Sequence, residues 1–472
     1  MNLRDPAAAQ GALREAFDHQ RALADRAGGL DERARRLALD ALEALLHDGT
    51  EALATAVDAD FQGRSRAETR LLEIFPALES IRHARRHLRR WMKPRRVATN
   101  LWFRPGRSWI VAQPLGVVGI VVPWNYPIYL AVGPAVAALA AGNRVLIKMS
   151  EAAPRLGETF ARLVAERFDP GVLHVVNGGV DVARAFGALP FDHLLFTGST
   201  AVGREVMRAA AENLTPVTLE LGGKSPAIVG RGIDVALAAE RILYGKCLNA
   251  GQTCIAPDYV LVPEERLEAF VTAARGAVSR MYPRIAGNPD YTAVVDERHR
   301  ARIRAWIDEA RQRGARIVPL SGDDPASGPP IAPTLVTGAP DDTRLMREEI
   351  FGPVLPLVPY RTTEEAIAYV NARPRPLALY VFDRDREAID AILARTVSGG
   401  AAINETIVHI AQEELPFGGV GPSGMGQYHG RAGFDTFSKQ KGIFRQSRLN
   451  GLALFRPPYG PRFDALLRLL LR

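Results

Sequence analysis

An α/β protein is predicted from three observations. Between residues 115 and 212, short apolar runs alternate with helical patterns. The runs are almost continuously apolar, as in strands of a parallel sheet covered on both faces. A second alternating set begins near Ser225 and runs to about Ile403.

The elements are justified in order. Residues 1–92 read as helices rich in Ala, Leu, Arg and Glu. Residues 97–113 read as two strands around a turn at Arg104-Pro105-Gly106-Arg107, carrying Trp102, Phe103 and Trp109. Exposed aromatics there would be a liability, so the hairpin is expected to pack on another chain or domain. Strands follow at 117–122, 144–148, 172–176 and 193–197, with helices at 129–141, 155–168, 181–188 and 203–212. Residues 321–330 are polar and rich in Gly and Pro, a surface loop. After the break at Arg456-Pro457-Pro458-Tyr459-Gly460-Pro461, residues 463–471 read as a short apolar helix that could cap a pocket, pack on the body or touch a membrane surface, with packing the default because ten residues are too few for a span.

The 472 residues suffice for two or three domains with large cores, and 47% hydrophobic with 24% charged residues is ordinary for a globular chain. Two cysteines make neither a disulfide framework nor a CxxC or Cys/His metal set, so no metal is expected and a reducing, cytoplasmic setting fits best. Residues 1–10 lack the apolar core of a signal peptide, and the longest apolar stretch, 129–141, is too short to span a bilayer. The net charge of +8 raises nucleic acid as a partner. The densest basic run, from Arg82 to Arg96, has Ile74, Leu78, Ile81 and Leu88 at helical spacing, and so reads as an amphipathic helix with a solvated basic face. With no zinc finger, RNP motif or aromatic interleaving, no nucleic-acid partner is expected.

Four segments carry the chemistry. Asn249-Ala250-Gly251-Gln252-Thr253-Cys254 places a cysteine in a loop between a helical pattern and a strand. It is either a small buried hydrophobe or an exposed nucleophile. Pro123-Trp124-Asn125-Tyr126-Pro127 ends the first strand, where ligands gather in open α/β sheets. Its Asn is either a turn residue or an amide aimed at a developing oxyanion. In Leu219-Glu220-Leu221-Gly222-Gly223-Lys224-Ser225-Pro226, flanking leucines would bury Glu220 and raise its pKa toward that of a base. The alternative is a surface glutamate on an edge strand. Glu348-Glu349-Ile350-Phe351-Gly352-Pro353 suits a ribose hydroxyl and a flat ring, although alone it is only a loop.

Two glycine-rich strings compete for a phosphate. Gly419-Val420-Gly421-Pro422-Ser423-Gly424 fits G-x-G-x-x-G, but no apolar strand precedes it and no acidic residue follows at the right distance. Phe196-Thr197-Gly198-Ser199-Thr200-Ala201-Val202-Gly203 has a strand before it and a helix after it, the context that holds a pyrophosphate. Lys148 and Glu151, after the second strand, are placed for an adenosine ribose.

Taken together and in this order, PWNYP, FTGST, LELGGKSP, GQTC and EEIFGP resemble the NAD(P)-dependent aldehyde dehydrogenase family. The likeness runs from about residue 30 to 444, and LPFGGVGPSGMGQYHG with a short N-terminus is similar to its class 3 branch. The resemblance implies an aldehyde dehydrogenase-like fold: a Rossmann-type cofactor domain (1–92 and 114–222), an α/β catalytic domain (223–403), a small β dimerisation arm with a site-flanking segment (93–113 and 404–444), and a tail (445–472). It implies Cys254 as nucleophile, Glu220 as general base, and Asn125 with the Cys254 N–H as oxyanion hole. Trp124, Lys148, Glu151, Gly198, Ser199, Gly203, Leu221, Gly222 and Glu349 would contact NAD or NADP, and Phe351 would lie by the nicotinamide. Glu151 would favour NAD. Met149 stands where the family usually has Pro, which loosens that loop. The implied partners are an aromatic or medium-chain aliphatic aldehyde and a second copy of the chain, with a strand near 404–409 completing the arm. Alternatives are a coenzyme A-dependent acylating enzyme, whose relatives generally lack the base, and a non-catalytic binding protein on this scaffold.

Overall fold

The structure, a computed structural model, describes residues 6–322 and 330–471. Residues 1–5 and most of the loop expected at 321–330 lie outside the described residues.

Among the described residues, three sheets organise the chain. The first has six strands in the order Gly424–Met425, Val217–Glu220, His193–Thr197, Val117–Val121, Arg144–Lys148 and Leu173–Val176. All neighbours are parallel except the short Gly424–Met425 edge, which returns from far along the chain. From Val117–Val121 the chain winds to one side for two strands and then crosses to the other. The carboxyl ends of Val117–Val121 and His193–Thr197 therefore flank a topological switch point, where a crevice opens.

The seven-stranded sheet runs Arg316–Pro319, Thr334–Thr337, Val354–Tyr360, Tyr259–Pro263, Pro226–Val229, Ala378–Phe382 and Gly400–Ile403. It is parallel apart from the antiparallel edge at Arg316–Pro319.

The third sheet corrects the expected arm. Arg95–Val97 pairs antiparallel with Arg107–Pro114, but the turn is wider than four residues and holds the 3-10 turn Leu101–Phe103. The third strand is Ser438–Arg445, paired along its whole length with Arg107–Pro114. Residues 404–409 form no strand. Asn404 is left-handed, at φ 57°, and donates its side-chain amide to Asp383 O at 2.8 Å, which ends the preceding strand. Residues of 404–444 are thus divided: Gly424–Met425 joins the first sheet and only 438–444 joins the arm.

Helix Tyr129–Ala141 is buried at every residue, as its unbroken apolar sequence requires. It lies beneath the N-terminal helices, of which Glu32–Phe61 is capped by Asp31 accepting from Ala34 N at 2.7 Å. The basic run lies on helix Phe75–Met92 up to Arg90, whose Arg82 and Arg85 pair with Glu43 and Asp40 on the neighbouring helix, and ends on the strand Arg95–Val97, so part of that charge is answered within the fold.

Candidate active site

Helix Val235–Cys247, capped by Asp234, delivers the chain to the nucleophile loop. Asn249, Ala250 and Gly251 are then left-handed in succession, at φ 51°, 50° and 72°. Two of these are not glycine, so the surroundings must hold the turn. Asn249 Nδ2 donates to Asn125 O at 3.0 Å and Gln252 O at 3.1 Å. Gln252 donates to Asn249 O and Ala293 O and accepts from Val295 N. A β-carbon at Gly251 would lie 2.3 Å from Gly352 O, so glycine is required there. The turn brings Cys254 to the mouth of the switch-point crevice.

The structure places Cys254 between the buried and the exposed alternatives. Cys254 is only partly accessible, and burial, helped by the charges of Glu349 and Glu220, pushes its thiol well above the ordinary range. Cys247 is fully buried in the helix and its thiol is pushed up to about 12.

Asn125 sits just past the strand Val117–Val121, buried, with Nδ2 donating to Gln252 O at 3.0 Å. Its carbonyl accepts from Arg64 Nη1 at 2.8 Å. Arg64 is 3.4 Å from Glu73, both side chains fully buried. Glu73 in turn accepts from the backbone N–H of Ile128 and Tyr129, at the helix N-terminus where a carboxylate is favoured. No motif signalled Arg64 or Glu73, which lie about 60 residues upstream in plain helical sequence.

Glu220 ends its strand with Thr197 paired on one side and Gly424 on the other, so it is interior, not a surface glutamate on an open edge. Neither carboxylate oxygen has a hydrogen-bond partner, and burial raises its pKa well above the usual carboxylate range.

A cleft of about 240 Å³ collects most of the expected residues. Trp124, Asn125, Gly198, Ser199, Glu220, Leu221, Gly222, Cys254, Glu349 and Phe351 line it together, from five segments spread over 228 positions of sequence. Lys148, Glu151 and Gly203 do not line it. Lys148 closes the adjacent strand, 3.7 Å from the Glu151 carboxylate, and Gly203 packs its bare α-carbon under Leu221. Pro123, Thr197, His299 and Arg302 also line the cleft and were not foreseen. His299 and Arg302 belong to helix Glu297–Gln312, whose charged sequence carries no motif. Trp124 meets both Phe351 and His299 edge to face, at 5.5 and 5.1 Å. Phe351 is itself left-handed, at φ 48°, in a turn held by Asp258 accepting from Ile350 N.

The cleft fits a dinucleotide. Helix Thr200–Ala211 points its N-terminus into it, with Ser199 as N-cap. Thr197 Oγ1 and Glu349 Oε1 are buried without hydrogen-bond partners, as groups awaiting a ligand's hydroxyls would be. Burial and the nearby Asp258 raise Glu349 to about 8. A β-carbon at Gly222 would fall 1.9 Å from Glu349 Oε2. The decoy glycines at 419–424 instead form the turn before the Gly424–Met425 edge, where Ser423 O accepts from Leu221 N.

A second cavity of about 230 Å³ opens on the other side of the nucleophile loop. Leu72, Phe75, Tyr126, Leu130, Tyr244 and Ile410 line it. The Tyr126 hydroxyl is engaged by Thr253 Oγ1 at 2.7 Å and the Tyr129 hydroxyl by His429 at 3.2 Å, so the wall is mostly apolar. Among the described residues, Cys254 alone lines both cavities.

The profile of the aldehyde dehydrogenase family matches residues 3–443. The chain belongs to that family. It is 54% identical over 428 residues to a probable coniferyl aldehyde dehydrogenase of Pseudomonas aeruginosa, covering 91% of this chain and 90% of that one. It is also similar to the substrate-bound Staphylococcus aureus AldH, with a TM-score of 0.92 and 38% identity over 97% of this chain and 99% of that one. A Mycobacterium tuberculosis aldehyde dehydrogenase complexed with NAD+ superposes with a TM-score of 0.81 at 30% identity, covering 91% and 90%. This aldehyde dehydrogenase is therefore an oxidoreductase that uses NAD or NADP to oxidise an aldehyde. Among the described residues, no helix is long and apolar enough to cross a membrane.

Proposed function

We propose that the chain oxidises an aromatic aldehyde, coniferyl aldehyde or one close to it, to the carboxylic acid, with NAD preferred to NADP. The observation that carries this reading is Cys254 standing between the two cavities. A flat, largely apolar aldehyde enters the Tyr126–Leu130–Tyr244 side, and the cofactor occupies the Ser199–Glu349 side. The coniferyl assignment rests on the relative's name.

In this mechanism the Cys254 thiol gives its proton to water and the thiolate attacks the aldehyde carbon, whose oxygen becomes an oxyanion. Bound NAD(P) supplies the hydride acceptor, and its positive ring favours the thiolate. The Asn125 amide and the Cys254 N–H hold the oxyanion of the thiohemiacetal, a contribution of about 2.7–4 kcal/mol per donor in other enzymes. Collapse of the oxyanion restores the carbonyl, expels hydride and leaves a thioester on Cys254. Glu220 then takes a proton from water, which attacks the thioester, releasing acid and thiolate. Its unpartnered carboxylate, raised in pKa by burial, suits a proton acceptor. Glu349 and Ser199 would hold the cofactor's ribose and phosphates.

Glu220 favours hydrolysis over transfer of the acyl group to coenzyme A. The three-stranded arm, with Trp102 57% and Phe103 43% exposed, supports a homodimer, and two free cysteines support a reducing cytosol. The deciding experiment is a steady-state panel of aromatic and aliphatic aldehydes with NAD and NADP, with and without coenzyme A, followed by reduced-cofactor absorbance. The highest kcat/KM is expected for a cinnamyl-type aldehyde with NAD. A strict need for coenzyme A, or a preference for short aliphatic aldehydes, would overturn the reading.

A further inference from the structure

One wall of the apolar cavity is held in a strained shape. Thr406, Ile407 and Val408 form it, just after the strand Gly400–Ile403. Ile407 has φ 66° and ψ −42°, and Val408 N donates to Thr406 O at 2.6 Å across it. That is a γ-turn of the rare and strained form. A β-branched residue at positive φ is an outlier that its surroundings must hold in place.

The group that holds it is Tyr380, fully buried in the strand Ala378–Phe382. Its hydroxyl donates to Ile255 O, the carbonyl directly after Cys254, and accepts from Ile407 N at 3.3 Å. One phenol therefore joins the nucleophile loop to the cavity wall, and its single hydrogen is already engaged. Thr406 anchors the other side of the turn, donating Oγ1 to Arg241 O at 3.0 Å. A β-carbon at Gly245 would meet Thr406 Oγ1 at 2.2 Å, so helix Val235–Cys247 approaches this wall as closely as glycine permits. Tyr380 lines neither cavity, so it acts through the two groups it joins.

We propose that, with this cavity read as the aldehyde site, Tyr380 is a positioning residue that sets the width of that site. It does so by fixing the Ile407 turn relative to the Cys254 loop. A large flat aldehyde fills the cavity and depends on where that wall stands. A three-carbon aldehyde leaves most of the cavity empty and depends on it far less.

The test is Tyr380→Phe, which keeps the ring and removes the hydroxyl. KM for a cinnamyl-type aldehyde should rise by about tenfold, the order of effect of leaving buried polar groups without their partner. KM for propanal should change far less, and kcat and KM for NAD should hold. Glycine adopts positive φ without help, so Ile407→Gly keeps the turn with or without the hydroxyl. In that background Tyr380→Phe should leave KM for the cinnamyl-type aldehyde unchanged, a coupling that a purely structural tyrosine would not show. Equal effects in the two backgrounds, or an equal rise in KM for both aldehydes, overturns the proposal. Leu130→Trp fills the same cavity from helix Tyr129–Ala141. If it raises KM for the cinnamyl-type aldehyde and Tyr380→Phe does not, the positioning role alone fails. If neither variant alters that KM, the reading of the cavity as the aldehyde site fails with it.

Discussion

Asn125 donates its side-chain amide to the carbonyl of Gln252 at 3.0 Å, so the first strand's end and the nucleophile loop are joined through the residue proposed to hold the oxyanion. Asn249 doubles the tie by donating to the Asn125 carbonyl. One amide hydrogen of Asn125 is therefore spent on positioning, and the other remains for the substrate. Asn125→Ala removes both. A fall in kcat of about 10²–10³ is expected, the usual loss for one oxyanion donor. Asn125→Asp should do no better, since a carboxylate repels an oxyanion. Steady-state rates within a few-fold of wild type would refute the role.

Cys254 carries a thiol whose pKa is raised by burial first and by Glu349 and Glu220 next. A raised thiol pKa means little thiolate at neutral pH, and nucleophilic reactivity that climbs as pH rises. Alkylation of the free enzyme by iodoacetamide should accelerate steadily up the alkaline range. NAD+ should speed it at fixed pH by placing positive charge beside the sulfur. Cys254→Ala should abolish both labelling at this site and turnover. A labelling rate flat above pH 7 would show that the thiol is already ionised.

Glu220→Gln separates the two half-reactions. The burst of reduced cofactor should survive, and steady turnover should fall by about 10²–10⁴, the usual worth of a general base. The same variant tests linkage. The folded-state pKa of Glu220 is raised, so the folded protein binds more protons than the unfolded one above the ordinary value of 4.5. Stability from this group is present below that value and is lost as pH rises toward the raised pKa. Glu220→Gln should therefore melt at a higher temperature than wild type, by a margin that widens from mildly acid to alkaline pH. A margin independent of pH would place the Glu220 carboxyl in water.

Why some of this was legible in sequence and some was not has a physical basis. Strands buried on both faces and helix 129–141 must be apolar throughout, so composition alone exposes them. The switch-point residues Asn125, Gly198 and Ser199 follow strands directly, so their places follow from the strands. Arg64 and Glu73 act through backbone groups of Asn125, Ile128 and Tyr129 and need no shared motif, which hid them. The arm's third strand was missed because Ser438–Arg445 pairs across more than 300 residues, a register that local periodicity does not encode. The tail helix was expected to pack because it is apolar. Only the fold shows that none of its residues is fully buried.

The arm should govern assembly. Trp102 and Phe103 stand out from the turn between its first two strands, with Phe103 meeting Phe444 of the third at 6.0 Å. Trp102→Asp with Phe103→Asp should lower the sedimentation mass from dimer to monomer and leave the cofactor cleft in place, read as unchanged quenching of tryptophan fluorescence by NADH. An unchanged mass would overturn the proposed role of the arm in assembly.

Cofactor preference should turn on Glu151. Its carboxylate is half exposed and lies 3.7 Å from the buried Lys148 ammonium, beyond the strand that borders the cleft. Burial lowers the pKa of Lys148 and Glu151 supports its charge, so the two act as one polar unit at the place expected for the adenosine ribose. A 2′-phosphate arriving there meets the negative charge of Glu151 before it reaches Lys148. Two unit charges about 4 Å apart in water interact by roughly 1 kcal/mol, or about fivefold in affinity. Glu151→Gln should therefore lower KM for NADP by about fivefold while changing KM for NAD little, and kcat with either cofactor should hold. Lys148→Met should raise both KM values. If Glu151→Gln weakens NAD and NADP equally, the carboxylate supports the loop after the strand, where Met149 stands in place of a more rigid residue, and discrimination must arise elsewhere.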